Sequence, residues 1–390
     1  MSRLLCAALA ASLSTPAACA SAAPPPAMLI RADAQTLDVA VRRAMERTGA
    51  RGLALAVIDA GQPVLVRSWG ERNAAGDPLS TDTIMYGASL TKAVFAFTVM
   101  QLVEEGRIDL DRSIADYLPR PLPEYGDAEE DYAAWQHLAG DERWRRLTPR
   151  ILLSHRSGFH NFGFMEEDGR LRIHFEPGER YSYSGDGFIL LQFVLEKGLG
   201  LDLGAEMRRR VFDRFGMTNT SMMWRPDFAR NLADGWKSDG SVEPHDERSR
   251  VRAAGSMDTS IADFARFAAA FMRGEGLSRQ GRAEMLREQL PIRTATQFPI
   301  LAPEPAAQRW PGLGVGLGVV IFEGPQGRGF FKGGHNDSTG NMWVCLERGE
   351  RCVVLLANDV RAEAAFEEIV ELILGPTGVP WDWEYPQLAD

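Results

Sequence analysis

The stretch SLTKAVFAFTVMQLVEEG, residues 89–106, is an apolar run that predicts a helix ending at Gly106. Ser89 and Lys92 open this run. Residues three positions apart are neighbours on the same face of a helix. The sequence therefore places a hydroxyl group beside an amine at the start of an apolar helix.

This pair of residues has the composition of a nucleophile and its base. Near a helix N-terminus, Ser89 gains a dipole that favours developing negative charge and a backbone N–H that can bind an oxyanion. A serine hydroxyl is a poor nucleophile until a base takes its proton. Lys92 can be that base only if burial or a second cation lowers its pKa well below ~10.4. A serine that only caps the helix, followed by a lysine directed to solvent, would give the same two residues at this spacing. Both the catalytic and the structural interpretation stay open here.

Strand-like runs stand at both ends of the chain, on either side of this helix. LALAVID and PVLVRSW lie near the N-terminus and are joined by a predicted hairpin at Ala60-Gly61-Gln62. GLGVGLGVVIFE, RGFFKGG, NMWVCLE and RCVVLLAN follow in the C-terminal part. Helices are predicted at 34–49 and 361–374. We therefore expect an α/β (α+β) fold, with one antiparallel sheet built from both termini and flanked by helices.

The middle of the chain has a different pattern. Residues 111–250 are mostly helical and loop-rich, which predicts an inserted helical lobe, with the α/β part at about 30–110 and 251–390. Within the insert, the acidic stretch 124–144 fits a solvated helix and loop, or a lid over a cleft. Near the C-terminus, Trp381, Trp383 and Tyr385 are expected to pack the chain end.

The first residues resemble a secretory signal. Residues 1–22 contain Arg3, the apolar run LLCAALAASL and small residues at A-x-A cleavage sites, and a proline-rich linker follows. The expected mature domain is 23–390, in the periplasm or secreted. A lipoprotein anchor at Cys19 is a minor alternative, because Pro16 stands where an aliphatic residue is expected.

Composition excludes several classes of protein. The chain has 390 residues, 45% of them hydrophobic, and a net charge of −10, which disfavours intrinsic disorder and a nucleic-acid partner. No mature segment has the ~20 apolar residues of a membrane span. Histidine and cysteine spacing predicts no metal site, and no cofactor is expected. Only four of the 43 basic residues are lysine, so amine chemistry is expected to matter at some of them.

Cys345 and Cys352 remain after removal of the signal segment. A two-residue turn at Arg348-Gly349 would place them opposite each other in a hairpin, as a backbone-hydrogen-bonded pair with more widely spaced side chains. An oxidising compartment permits a disulfide. A disulfide and two free buried thiols are both compatible with this spacing.

Several ordered segments resemble the serine β-lactamase-like proteins, a family that includes class C β-lactamases, DD-peptidases and related esterases. PGERYSYSGDGFILLQFVLE, residues 177–196, is similar to the family's PGxxxxYSNxGYxLLG segment. Four other stretches match in the same order: LTPRILLSHRSGF (147–159), FGMTNTS (215–221), AAGSMDTSIADFARF (253–267) and FFKGGHNDSTGNMW (330–343). The resemblance covers nearly the whole mature chain and implies the β-lactamase/transpeptidase-like fold.

Position by position, the resemblance implies roles for the site residues. Ser89 would be the nucleophile, Lys92 its base, and Tyr183 the tyrosine that moves protons to the leaving group or from water. Lys332, Gly333 and Gly334 correspond to the KTG motif, whose lysine faces a substrate carboxylate. The backbone N–H of His335 would complete the oxyanion hole with that of Ser89.

Two positions depart from the family pattern. Gly185 stands where the asparagine of the YxN motif is expected, and Gly333 replaces the threonine of KTG. Both losses disfavour efficient β-lactam hydrolysis, whereas Lys332 favours carboxylate-bearing substrates. We therefore expect an exported serine hydrolase that acts on D-amino-acid peptides, β-lactams or related amides and esters. A small-ester carboxylesterase and a non-hydrolytic penicillin-binding or scaffold protein are the alternatives, and the oligomeric state stays open.

Overall fold

The computed structural model describes residues 33–126, 132–297, 301 and 307–388. The predicted signal peptide, with Cys6 and Cys19, lies outside the described residues, as does part of the acidic stretch 124–144. None of the helices in the described ranges combines the length and hydropathy needed to cross a bilayer.

An antiparallel sheet forms the centre of the described structure. Its strand order is β2-β1-β12-β11-β10-β9-β8-β7, and β3-β6 and β4-β5 form two small separate pairs. The strands are β1 (Gly52–Asp59), β2 (Gln62–Gly70), β3 (Met85–Tyr86), β4 (Gly235–Trp236), β5 (Val242–Glu243), β6 (Asp258–Thr259), β7 (Leu290–Pro291), β8 (Gly314–Val315), β9 (Val320–Gly324), β10 (Gly327–His335), β11 (Gly340–Leu346) and β12 (Arg351–Ala357).

Helices cover both faces of this sheet. The α-helices are α1 (Ala34–Thr48), α2 (Leu90–Glu104), α3 (Pro149–Leu153), α4 (Gly185–Phe193), α5 (Leu203–Met207), α6 (Ile261–Met272), α7 (Arg279–Leu286), α8 (Phe366–Leu374) and α9 (Trp381–Glu384). Single 3₁₀ turns are Ile114–Asp116, Leu122–Tyr125, Trp135–Leu138, Glu142–Arg146, Gly163–Met165, Pro226–Asn231, Val360–Ala365 and Pro386–Leu388. A π-helical turn continues α4 (Val194–Gly198) and another continues α5 (Arg208–Phe212).

Strand alternation divides the core into two layers. Side chains of successive strand residues point to opposite faces of a sheet. Leu53 and Leu55 pack with α1 and α8 on one face, whereas Ala54 and Ala56 pack with α2 and α6 on the other. The apolar helix α2 is buried on every side, as expected for a helix without a polar face.

The predicted sheet from both termini is confirmed. β1 pairs with β12, with Leu53 opposite Ala357. The N-terminal hairpin turns at Ala60 and Gly61, whose φ angles of 48° and 68° suit a tight turn between antiparallel strands. The run GLGVGLGVVIFE was predicted as a single strand, and this is wrong: it forms β8, a turn and β9. At the turn, a Cβ on Gly318 would lie 2.5 Å from Ala96 Cβ, so glycine there lets α2 approach the sheet.

Residues 111–250 consist of short helices, turns and loops, with the two-residue strands β4 and β5 near their end. Their apolar side chains join the core layer that contains α2. The division into two lobes stays a prediction.

Cys345 and Cys352 form a disulfide bond across β11 and β12. The predicted two-residue turn is wrong, because β11 ends at Leu346 and β12 begins at Arg351. Cys345 still lies opposite Cys352, as predicted, but the two Cα atoms are only 4.1 Å apart. That short distance is typical of a non-hydrogen-bonded pair, where side chains are close enough to bond.

Replacing both cysteines (Cys345→Ala with Cys352→Ala) should lower the free energy of unfolding by about 2 kcal/mol, because the open chain gains entropy when unfolded. Urea unfolding of the oxidised protein and of the double variant measures the difference. Treating the oxidised protein with a reductant should reproduce the loss, and the double variant should not respond to it. Equal midpoints for all samples would contradict this expectation.

Candidate active site

A cavity of about 850 Å³ opens where the N-terminus of α2 meets β10. Ser89, Lys92, Tyr183 and Lys332 all line it. Tyr132 and His137, from the described part of the acidic stretch 124–144, line the same cavity. The structure therefore brings these four predicted site residues together from three separate parts of the chain.

Ser89 and Lys92 contact each other directly. Lys92 Nζ lies 3.0 Å from Ser89 Oγ and 2.5 Å from the backbone oxygen of Ala254. Ser89 occupies the N-cap position of α2, but its side chain makes no capping hydrogen bond. Lys92 is buried rather than extended toward solvent. Both observations disagree with the interpretation of an ordinary cap and a surface lysine.

The surroundings of Lys92 favour its neutral form. Burial lowers the pKa of Lys92, and the positive charge of Lys332 lowers it further, whereas the interaction with Tyr183 opposes the shift. A neutral amine has one lone pair and two protons. With the protons directed to the oxygens of Ala254 and Tyr183, the lone pair can accept the Ser89 proton.

Tyr183 lies between the two lysines. Lys332 Nζ is 3.3 Å from the Tyr183 hydroxyl, and Lys92 Nζ is 5.1 Å from the centroid of the tyrosine ring. The ring of His155 stacks on that of Tyr183 at 4.2 Å between centroids. His155 Nδ1 accepts the Ser184 N–H at 3.0 Å, and burial together with both lysines lowers the pKa of His155. A neutral imidazole thus holds the tyrosine in place.

Strand β10 passes very close to the start of α2. A Cβ on Gly334 would lie 2.9 Å from the backbone nitrogens of both Ser89 and Leu90. Only glycine lets two backbones approach this closely. This contact brings the Gly334–His335 peptide beside the Ser89 backbone N–H. The His335 side chain turns aside and pairs with Glu363 at 3.2 Å.

Glu384, in α9, fills the space beside Gly333. A Cβ on Gly333 would lie 1.9 Å from Glu384 Oε1, so no larger residue fits there while the glutamate holds this position. Burial raises the pKa of Glu384 to about 6, against the opposing effect of Lys332. Burial lowers the pKa of Lys332 to about 8, and the Glu384 charge opposes that shift.

Gly185 is enclosed in a similar way. A Cβ at this position would lie 2.4 Å from the ring of Phe162. The Gly185 N–H donates to Asn161 Oδ1 at 2.9 Å. Asn161 lines the cavity, so a side-chain amide is present near Gly185 although it comes from another segment.

The sequence profile of the Beta-lactamase family matches residues 37–374. The chain belongs to the beta-lactamase family. This confirms the resemblance stated from the sequence, and the relatives to which the chain is similar include an esterase and an aminopeptidase.

Lovastatin esterase of Penicillium rubens is 25% identical over 225 residues, which cover 51% of this chain and 56% of that protein. D-aminopeptidase of Gluconobacter oxydans is 25% identical over 214 residues, or 53% of this chain and 39% of that one. The chain thus spans about half the length, or less, of these relatives.

Solved structures of other beta-lactamase family proteins share the fold. D-alanine carboxypeptidase AmpC from Burkholderia cenocepacia superposes with a TM-score of 0.67 at 19% identity, covering 88% of this chain and 99% of that one. A class C beta-lactamase gives 0.68 at 16% identity, covering 87% and 95%. The predicted fold class is confirmed by these likenesses.

Glu384 and Asn161 line the cavity and were not predicted from the sequence. Glu384 stands among the aromatic residues of WDWEY, which were expected only to pack the chain end; the side chains of Trp381, Trp383 and Tyr385 are indeed buried. The available signal was an acidic residue among these aromatic residues, and Asp382 in the same stretch gave the same signal. Asn161 follows the matched segment 147–159 and had no comparable signal.

Adding a methyl group at Gly333 (Gly333→Ala) should cost about 1–3 kcal/mol of stability, because the new Cβ overlaps Glu384. In a Glu384→Ala background the same change should cost less than about 1 kcal/mol. Urea unfolding of the four proteins gives the coupling. Gly187→Ala is the control, since its Cβ would meet no atom nearer than 3.5 Å. Equal costs in both backgrounds would contradict the contact.

Proposed function

We propose that this protein is a serine hydrolase that forms an acyl-enzyme on Ser89 from a carboxylic ester or amide. The observation that carries the proposal is the 3.0 Å contact between Ser89 Oγ and the buried amine of Lys92. A nucleophile and a base within hydrogen-bond reach, with the base held by other groups, is the arrangement required for covalent catalysis.

In the acylation step, Ser89 Oγ attacks the substrate carbonyl carbon while its proton passes to Lys92 Nζ. The carbonyl oxygen becomes an oxyanion, to which the backbone N–H groups of Ser89 and His335 donate. Collapse of this intermediate breaks the bond to the leaving group. Such backbone donors contribute about 3–4 kcal/mol each to transition-state stability in enzymes of this kind.

Tyr183 is positioned to move the proton onward. Its hydroxyl group contacts Lys332 at 3.3 Å and interacts with Lys92 by a hydrogen bond. The proton held on Lys92 can therefore reach the departing oxygen or nitrogen through Tyr183. In deacylation, the reverse transfer takes a proton from the attacking water and restores Ser89.

The half-buried amide of Asn161 supplies the substrate contact that Gly185 lacks. Its Oδ1 atom is fixed by the Gly185 N–H at 2.9 Å, and its backbone oxygen accepts the N–H groups of Gly185 and Asp186. These bonds leave Nδ2 without an acceptor among the described residues. We assign Nδ2 to the acyl side of the substrate, in the cavity that Lys92 also lines.

Export is part of the proposal. Residues 1–22 have the composition of a signal peptide. The disulfide between Cys345 and Cys352 also favours a periplasmic or secreted protein, because cytosolic thiols are kept reduced.

The purified protein is incubated separately with a fluorophosphonate, a β-lactam and a p-nitrophenyl ester. Intact-mass spectrometry and peptide mapping should then detect an adduct on Ser89. Turnover of at least one substrate with loss of the adduct supports a hydrolase. A permanent β-lactam adduct without turnover would instead support a penicillin-binding protein.

Ser89→Ala should abolish the adduct and lower kcat by about 10³-fold or more. Ser278→Ala is the matched control, since Ser278 also stands at a helix N-terminus, that of α7, but lies outside the cavity. Labelling that persists in Ser89→Ala would overturn the proposal.

Removing the charge of Lys332 (Lys332→Met) should move the rising limb of the kcat/KM–pH profile to higher pH. The sign follows because the Lys332 charge lowers the pKa of Lys92, so its loss raises that pKa and delays formation of the neutral base. Lys237→Met, at a lysine paired with Glu243 outside the cavity, is the control and should leave the profile in place. An unshifted profile in Lys332→Met would contradict an effect of the Lys332 charge on the pKa of the base.

A further inference from the structure

The cavity already contains a carboxylate beside the lysine that corresponds to the KTG motif. Glu384 and Lys332 both line the cavity, and only 5% of the Glu384 surface is exposed. Glu384 Oε2 is buried without a hydrogen-bond partner among the described residues. A buried carboxylate with an unpaired oxygen is costly, and the positive charges of Lys332 and His335 favour its ionised form.

The position of this carboxylate depends on Gly333. A side chain at position 333 and the carboxylate of Glu384 would occupy the same space, since the Cβ would lie 1.9 Å from Oε1. The absence of a side chain at 333 and the presence of the carboxylate are therefore two parts of one arrangement. α9 holds the glutamate there, because Trp383 is fully buried against the sheet.

The charges of Glu384 and Lys332 favour each other. Burial raises the pKa of Glu384 and lowers the pKa of Lys332, and in each case the charge of the other group opposes the shift. The next acidic group, Glu363, is paired with His335. A substrate carboxylate entering beside Lys332 would therefore meet a carboxylate already in place.

We propose that Glu384 is a built-in counter-anion for Lys332, and that it makes the Ser89 site select esters and amides that carry no charge next to that lysine. This inference rests on the proposed function of Ser89. It is the opposite of what Lys332 alone suggests, because the carboxylate that this lysine would recruit from a substrate comes from the protein itself. A cationic group at the same place would meet the ammonium group of Lys332.

Two esters of phenylacetylglycine test the specificity directly. Their leaving groups are phenol and 3-hydroxybenzoate, which differ only in one carboxylate. The wild-type protein should hydrolyse the phenyl ester with a kcat/KM about tenfold higher or more. Glu384→Gln keeps the size of the side chain and removes its charge, so it should raise the ratio of carboxylate to uncharged ester by about tenfold.

Glu384→Ala should raise the same ratio, and it provides a second variant if the glutamine protein folds poorly. Glu347→Gln, at a glutamate paired with Arg328 away from the cavity, is the control and should leave the ratio unchanged. A wild-type preference for the carboxylate ester, or a ratio that stays within twofold in both Glu384 variants, would overturn the inference.

Binding separates this inference from the proposed function. Calorimetric titration of both esters into Ser89→Ala, with and without Glu384→Gln, measures recognition without turnover. Removal of the Glu384 charge should strengthen binding of the carboxylate ester alone, whether or not Ser89 is the nucleophile. If neither ester gains affinity, the inference fails even where Ser89 forms an acyl-enzyme. If Ser89 is never acylated but the affinity still shifts, only the proposed function fails.

Discussion

The chain buries the amine of Lys92 at the start of an otherwise apolar helix, and much of the cavity compensates for that burial. A buried ammonium is costly unless polar atoms surround it or it releases its proton. Ser89, Ala254 and Tyr183 provide those polar atoms. Lys332 adds a second positive charge that favours release of the proton. Burial of the Lys92 amine therefore reduces the stability of the fold and at the same time prepares the amine to act as a base.

Sequence alone was sufficient for most of the sheet and for the central helix, because alternation in strands and apolar runs in helices are local patterns. β1 and β12 were correctly assigned to one sheet from such patterns. The turn between β11 and β12 was predicted two residues too short. Glu347 and Glu350 belong to the turn, but the sequence alone does not distinguish them from the last residues of the two strands. Glu384 was missed for another reason: its role arises from a tertiary contact with Gly333 that no local pattern contains.

Both departures from the family motifs are filled by side chains from elsewhere in the chain. Phe162 and Asn161 occupy the space that a side chain at Gly185 would take. Glu384 does the same at Gly333. A glycine inside a motif therefore does not by itself show what lies in the space of the missing side chain. Only the structure shows whether substrate or another residue can occupy that space. Here protein atoms take it in both cases, and the identity of those atoms changes the chemistry.

The pairing of β1 with β12 has a consequence for how the protein is made. Strand β1 is synthesised early, whereas its neighbour β12 is synthesised late. Lys332 and Glu384 also lie in the C-terminal part of the chain. Contacts between such distant segments form slowly, because the loop entropy is lost before they form. A partly synthesised chain would thus lack both the sheet and the cavity. Such a chain stays catalytically silent until its C-terminal part has been synthesised.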